Sequence, residues 1–371
     1  MINTLKDCYY RKPVYFIISA AFILYLPFIF FGYGADADSH LVVDSAKKLL
    51  NELAYSPSRN PGYFLHESVT ALLILIGGSV AANFGTMILS FITILFFYKI
   101  CEHFDIPHKN HLTIILAFHP LFWVNSTCTI DYIWAIAFLL SGMLMLLRGR
   151  GVIPGILFGF AVGARLSSGI FIGILFFSIF ITDRRKFSSL LLPAVITGII
   201  GALFYIPSFI SAGYTMKFMS YHIGDWSWFG YVGRFIYKNI YFWGLQVIIL
   251  FTFLIPVFIK GLKRNYEPKY RLITLNSLIV IIVFESLFLK IPIENEYLLP
   301  SLPFYLILVG IAFKDKLKLI NILLVTVISY NFINFNIARP DVPDNAATFT
   351  AGFWIEWGYL ITDVLKRLLL T

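Results

Sequence analysis

The sequence predicts an all-α fold, a polytopic transmembrane bundle of about eleven spans with amphipathic interfacial helices in its first extracytoplasmic loop. Two features of composition and one of patterning predict it. Hydrophobic residues make up 59% of the 371 and aromatic residues 18%, with a mean hydropathy of +0.81. Charged residues reach only 13%, where soluble domains carry roughly a quarter. The apolar residues gather in runs close to the ~20 residues that a hydrocarbon core requires, separated by charged and Pro/Gly breaks.

The predicted spans cover 14–33, 80–98, 111–125, 129–147, 152–164, 166–182, 189–210, 239–259, 271–289, 297–313 and 317–334. The first has a basic flank but no small-residue cleavage site, so it reads as a retained signal anchor. With the N-terminus in the cytoplasm, this layout puts 18 of the 29 Lys and Arg residues inside, the bias that sets orientation. The net charge of +9 is then topological, helped by anionic lipid headgroups at Lys260 to Arg271, and does not indicate nucleic acid. Cys8 and Cys101 fall inside and Cys128 outside, which rules out a disulfide framework. No His/Cys cluster has zinc-ligand spacing, and no P-loop or strand-bound Gly-rich motif is present.

The first loop, 34–67, stands out because its polar residues are packed far more densely than a connector needs. Asp36 and Asp38 sit at i and i+2 near the membrane surface. Two carboxylates there cost desolvation and mutual repulsion unless a metal, a cationic side chain or a substrate compensates. From Leu41, the apolar positions Leu41, Val42, Ala46, Leu49, Leu50 and Leu53 recur at helical spacing, with His40, Asp44, Lys47 and Lys48 on the other side. This is an amphipathic helix for the outer leaflet, with Asp38 or Ser39 as a candidate N-cap. Pro57, Pro61 and Gly62 then make a turn, and Arg59, His66 and Glu67 return polar groups to the face of the aspartates. His40, Arg59 and Glu67 are therefore candidate substrate contacts. The apolar stretch 62–78 lies in or dips into the outer interface.

Arg165 comes from a different argument. The apolar run Gly151 to Thr182 would make a helix of roughly 48 Å, too long for one ~30 Å span and too short for two full ones. A single span would also put Arg184, Arg185 and Lys186 outside, against the charge bias. Two short helices meeting at 164–169 fit better and leave Arg165 below the outer surface, where an arginine must face a cavity or a partner. The loop Ser211 to Asn239 adds Lys217, His222, Asp225, Arg234 and Lys238 among Trp226, Trp228 and several tyrosines. These are the groups a sugar ring and its phosphate need, or else an ordinary aromatic belt. Asp131 reaches the same face or caps the helix after it, Glu285 pairs within the bundle, and His119-Pro120 marks a kinked core helix.

These elements together resemble a family. A first span, an acidic motif at once in the first loop, an amphipathic helix, and the Arg59-Asn60-Pro61-Gly62-Tyr63 element leading into a helix look like the GT-C superfamily of membrane glycosyltransferases. The likeness is to the branch of protein O-mannosyltransferases and lipid A aminoarabinose transferases. Glu296-Tyr297-Leu298-Leu299-Pro300 is similar to the Tyr-Leu-Leu-Pro-like start of a late span in that branch, which makes Tyr297 a further candidate substrate contact. The resemblance implies a polyprenyl-phosphate-sugar donor and a first-loop acidic residue as catalytic base, a role that falls on Asp36 or Asp38. The sequence departs from the branch in two places. It has Asp-Ala-Asp where adjacent Asp-Glu is common, and Glu296 where a basic residue is expected.

The resulting expectation is an inverting glycosyltransferase of a bacterial inner membrane with an extracytoplasmic active site. A catalytic domain spans 1–334, followed by a short extracytoplasmic tail at 335–371. With no large acceptor-binding domain after it, the acceptor is expected to be a glycolipid or lipid-linked glycan. The reaction needs a general base and cations or a metal on the leaving phosphate. A metal would be Mg²⁺ or Mn²⁺ on the oxygens of Asp36 and Asp38, and no other cofactor is implied. The competing readings are a polyprenyl-diphosphate-glycan polymerase or ligase, and a lipid-linked glycan transporter. The latter should show paired, broken-helix repeats, and no such symmetry is visible.

Overall fold

The computed structural model describes residues 12–34, 37–220, 226–337 and 349–352. Among them, helices account for almost all regular structure, as the composition requires. The exception is a two-stranded antiparallel ladder, β1 (Asn334–Ile337) with β2 (Phe349–Gly352), registered Asn334 to Gly352 and Ile337 to Phe349. It falls at the end of the chain, where only a tail was expected.

Among the described residues, six helices are long and apolar enough to cross a membrane: Pro13–Phe30, Phe64–His103, Phe187–Ser211, Leu245–Arg264, Pro268–Lys290 and Asn295–Ala312. Four shorter apolar helices accompany them, Tyr132–Leu147, Ile153–Ala164, Ser168–Thr182 and Leu317–Ser329. The chain is thus a polytopic helical membrane protein. The expected count of about eleven spans is not matched one for one among the described residues, because several apolar runs are broken by Pro, Gly or Arg into pieces too short to cross alone.

The chain forms two compact units. The first comprises Ile18–Ile100 and Val124–Ile223 and holds the first loop. It begins with the remainder of α1 (Pro13–Tyr25) and a 3₁₀ turn, Leu26–Phe30. Helix α2, Ala37–Glu52, is the predicted amphipathic helix. Its buried stripe is Ser39, Val42, Val43, Ser45 and Ala46, whereas Leu41 and Leu53 of the expected stripe are exposed. The helix turns about 100° per residue, so an error of one position rotates the face. Helix α3, Phe64–His103, is broken at Gly77 and Gly78. Leu73 packs back against Gly85 across that break. The stretch read as interfacial is therefore a separate arm folded onto the following helix.

The tightest packing in this unit is between α7 (Ile153–Ala164) and α9 (Phe187–Ser211), with α6 (Tyr132–Leu147) on the other side of α7. Gly155, Gly159 and Gly163 recur every four residues along α7 and lie against Ile196, Ile200 and Phe204. A Cβ built on Gly159 would fall 2.5 Å from Ile200 Cβ. This is the small-residue stripe by which helices approach closely in lipid, where packing rather than hydrophobicity drives association. Tyr205 donates to the Val162 carbonyl at 2.7 Å along the same seam. After α7 the chain leaves helical geometry at Arg165 (φ −153°, ψ 123°) and re-enters it in α8, Ser168–Thr182. The two short helices expected around Arg165 are thus present.

The second unit comprises Met1–Ile17, Cys101–Trp123 and Gly224–Thr371. Its Cys101–Trp123 run divides at His119-Pro120 into α4 (Lys109–Phe118) and the start of α5 (Pro120–Asn125), the kink expected there. The segment 228–239, expected to be loop, is instead the start of α10, Trp228–Trp243, which ends at Gly244 before α11, Leu245–Arg264. Its tyrosines and phenylalanines follow helical periodicity, which aromatic density at an interface disguised. Then come α12 (Arg271–Lys290), a 3₁₀ segment Asn295–Ser301, α13 (Leu302–Ala312) and α14 (Leu317–Ser329). Glu285 is paired within this unit, accepting from Tyr305 Oη at 2.6 Å and Asn239 Nδ2 at 3.2 Å.

Candidate active site in the first loop

Three loop segments of the first unit are tied together by side-chain hydrogen bonds. Asn83 of α3 donates to the carbonyls of Ile29 at 3.0 Å and Gly32 at 2.6 Å, and accepts from Thr129 Oγ1 at 2.8 Å. The Thr129 amide in turn donates to the Tyr33 carbonyl at 2.8 Å. One buried amide thereby fixes the entrance of the first loop against the segment that precedes α6. Buried donors and acceptors left open would cost ~1–3 kcal/mol each, so this register is strongly held.

The second half of the loop is fastened by Glu67. Its carboxylate accepts from the Tyr55 hydroxyl and from the Ser58 amide, the latter at 3.0 Å. Burial first, and then Glu67, raise the Tyr55 pKa, so the phenol stays a donor. Ser45 of α2 donates to the Ser56 carbonyl at 2.6 Å. Gly62 adopts φ +96°, and a Cβ there would lie 2.2 Å from Ser208 Oγ. Only glycine serves both demands. The outcome is that Arg59 is held inward, on the same side as the start of α2.

There the charges meet. Asp38 pairs with Arg59 Nη1. Arg59 Nη2 reaches Asp131 Oδ1 at 2.8 Å, and Arg165 Nη1 reaches Asp131 Oδ2 at 2.5 Å. The four side chains alternate in sign, Asp38, Arg59, Asp131, Arg165, and each is drawn from a different segment. Tyrosine rings flank them: the Arg165 guanidinium lies 3.8 Å from the Tyr132 ring centre and 5.3 Å from that of Tyr63, and Arg59 lies 4.9 Å from Tyr63. These are cation–π distances, which favour a partly desolvated guanidinium.

Asp131 is fully buried while Asp38 keeps about a fifth of its side-chain surface exposed. Burial pushes the Asp131 pKa up, but Arg165 and Arg59 outweigh it and hold the carboxyl at about 2. The same contact raises the pKa of Arg59 against its own burial. Asp131 is thus a fixed anion that orients two guanidinium groups, and it is a poor proton acceptor at neutral pH. Arg59 Nε is buried with no hydrogen-bond partner among the described residues. Behind Asp131, His66 is fully buried, edge-on to Trp134 at 5.1 Å, and neither ring nitrogen has a hydrogen-bond partner among the described residues.

The expected site residues are placed as follows. The structure brings Asp38, Arg59 and Arg165 together. Asp38 lies in the first turn of α2 rather than at its cap. Glu67 is a loop fastener, and His40 points from the exposed side of α2. Arg234, Lys238 and Tyr297 belong to the other unit, where Lys238 Nζ lies 3.5 Å from Glu294 Oε2. There Arg234 Nε donates to the Pro292 carbonyl at 3.3 Å, and its guanidinium lies 4.2 Å from the Trp226 ring centre. Asp36 and His222 lie outside the described residues. No three His, Cys, Asp or Glu side chains gather as a ligand set among the described residues. Asp38 is engaged by Arg59, so the Mg²⁺ or Mn²⁺ expectation turns on Asp36. The bridging role of Asp131 and the two tyrosines were missed. Asp131 makes no capping hydrogen bond, so the available signal was a lone acidic residue at the mouth of an apolar helix that does not cap it.

No family model and no curated protein sequence matches the chain. Two solved structures match in fold, both of ArnT from Cupriavidus metallidurans. The apo form has a TM-score of 0.59 at 13% identity, covering 82% of this chain and 59% of that one. The form bound to undecaprenyl phosphate has a TM-score of 0.58 at 14% identity, covering 82% and 60%. The chain therefore spans about three fifths of the length of those proteins. The resemblance drawn from the first loop holds for the fold, which is similar to that of ArnT.

Proposed function

We propose that the chain is an extracytoplasmic membrane glycosyltransferase that moves a sugar from a polyprenyl-phosphate-sugar donor to a glycolipid or lipid-linked glycan, with inversion. The reading rests on one observation, an Asp-bridged pair of arginines beside a first-loop aspartate, in a fold similar to a protein solved with undecaprenyl phosphate. Asp38 or Asp36 takes the proton of the acceptor hydroxyl, whose oxygen attacks the anomeric carbon. The bond from that carbon to the phosphate oxygen breaks on the opposite face, and the electron pair leaves with the polyprenyl phosphate. Arg165 and Arg59 donate to the phosphate as its charge grows. Asp131, with its low pKa, holds both guanidinium groups in place before the reaction, which is where electrostatic stabilisation gains most. Arg59 also offers the buried, unpartnered Nε.

The test is sugar release and transfer from radiolabelled polyprenyl-phosphate sugars by the purified wild type, Asp36→Asn and Asp38→Asn. One donor should be consumed, and one variant should lose transfer by ~10²-fold or more while still binding donor. Unchanged transfer in both variants, or no turnover of any monophosphate donor, would overturn the reading.

A further inference from the structure

The outer side of α2 forms one wall of an open cavity of about 390 Å³, lined on the other side by Ser56, Pro57 and Ser58. It belongs to the same unit as the charge array but uses none of its four members. Its size falls in the range of small-molecule sites.

Three features decide what it could take. Its charged lining, Asp44, Lys47, Lys48 and Glu52, sums to zero, so it does not select an anion such as a phosphate or an acidic headgroup. The rest of the wall is mostly neutral and short, with Asn51 and Ser56 supplying an amide and a hydroxyl that both donate and accept, beside the lysine donors and carboxylate acceptors. Its floor is fixed, because Ser45 is buried and bonded to the Ser56 carbonyl, and the Ser58 amide is bonded to Glu67. A cavity with a fixed floor, no net charge, and donors and acceptors side by side suits a polyhydroxylated ligand.

Position then relates it to the reaction. Asp38, Leu41, Ser45, Lys48 and Glu52 recur at spacings of three and four, one stripe along α2. The cavity begins at Leu41, three residues or about 4.5 Å of rise from Asp38. A saccharide lying along the stripe would direct its terminal hydroxyl toward the aspartate. Resting on the proposed transferase reading, we infer that this cavity is an acceptor subsite that binds a neutral saccharide of the acceptor, separate from the donor phosphate at the arginines.

The probe is a panel of methyl hexosides and the corresponding disaccharides, read by saturation-transfer NMR on the full chain in nanodiscs. Asn51→Trp fills the cavity from an exposed helix position, and Lys48→Ala removes a contact without adding bulk. The wild type should give saturation transfer to at least one disaccharide, reduced about tenfold by Asn51→Trp, the size of one or two lost hydrogen bonds. This readout needs no donor and so stands or falls apart from the transferase reading. In the transfer assay, both variants should raise the acceptor KM roughly tenfold and the donor KM no more than about twofold. No saturation transfer from any saccharide, equal transfer in Asn51→Trp, or a shift in donor KM instead would each overturn the inference.

Discussion

Asp131 Oδ2 and Arg165 Nη1 lie 2.5 Å apart although 34 residues separate them, and the other oxygen of the same carboxylate holds Arg59. A single buried anion thus joins the first loop to the end of α7. Asp131→Asn should take the shared counter-charge from two desolvated guanidinium groups, leaving Arg59 with Asp38, and a loss of about 3 kcal/mol or more is expected from breaking the buried pair with Arg165. Thermal unfolding followed by tryptophan fluorescence checks this, and a midpoint within a degree of wild type would contradict it.

The same bridge has a pH signature. The Asp131 pKa is depressed to about 2 in the fold against roughly 3.9 when unfolded. A depressed carboxyl stabilises above its unfolded pKa, and this contribution is lost as pH falls through its folded value. The wild type should lose stability between about pH 4 and pH 2, while Asp131→Asn starts lower and changes less over that window. Parallel slopes of midpoint against pH would argue against the assignment.

Arg165→Lys keeps the charge but loses the planar group stacked on Tyr132 and the forked donor geometry. On the proposed reading kcat falls on the order of 10²-fold, the scale of one lost transition-state donor. Stability should change far less than in Asp131→Asn, because Asp131 keeps a cation on each side. Steady-state transfer kinetics beside a melting curve separate the two effects.

Gly159→Val probes the link from packing to site. The added side chain has no room against Ile200, so α7 must move off α9, and overpacking of this kind costs about 1–3 kcal/mol. Because Arg165 follows directly on α7, transfer should fall with stability. The paired variant Gly159→Val with Ile200→Ala should recover part of both, and no recovery would dissociate the stripe from the site.

Tyr55→Phe and Glu67→Gln test the loop fastener. Each should destabilise by roughly 1–3 kcal/mol, since each leaves a buried partner unsatisfied. The double variant should fall short of the sum, because both act through one bond. Additive losses would mean that Glu67 acts elsewhere.

How much of this was legible beforehand depends on whether a feature is local. The break at Arg165 was readable because a 48 Å apolar run cannot match a 30 Å core, whatever surrounds it. The loop and α2 were readable from charge density and periodicity, although the buried face was misplaced at Leu41. The start of α10 was lost among aromatic residues that satisfy an interfacial belt equally well. The glycine stripe of α7 was not singled out, because its meaning depends on Ile196, Ile200 and Phe204 lying opposite.

The sequence by itself determined that this is a polytopic helical membrane protein, that its polar chemistry concentrates in the first loop, and that Asp38, Arg59 and Arg165 need partners. Those conclusions follow from the cost of placing charge in or beside hydrocarbon, which any single chain segment must answer. Only the tertiary structure decided which partners they have. Asp131 could be a cap or a ligand by local rules, and it became the bridge because Asn83 and the α7–α9 seam bring three distant segments within hydrogen-bonding reach. Pairing among separated charges is a property of distance in space, and helix packing alone sets that distance.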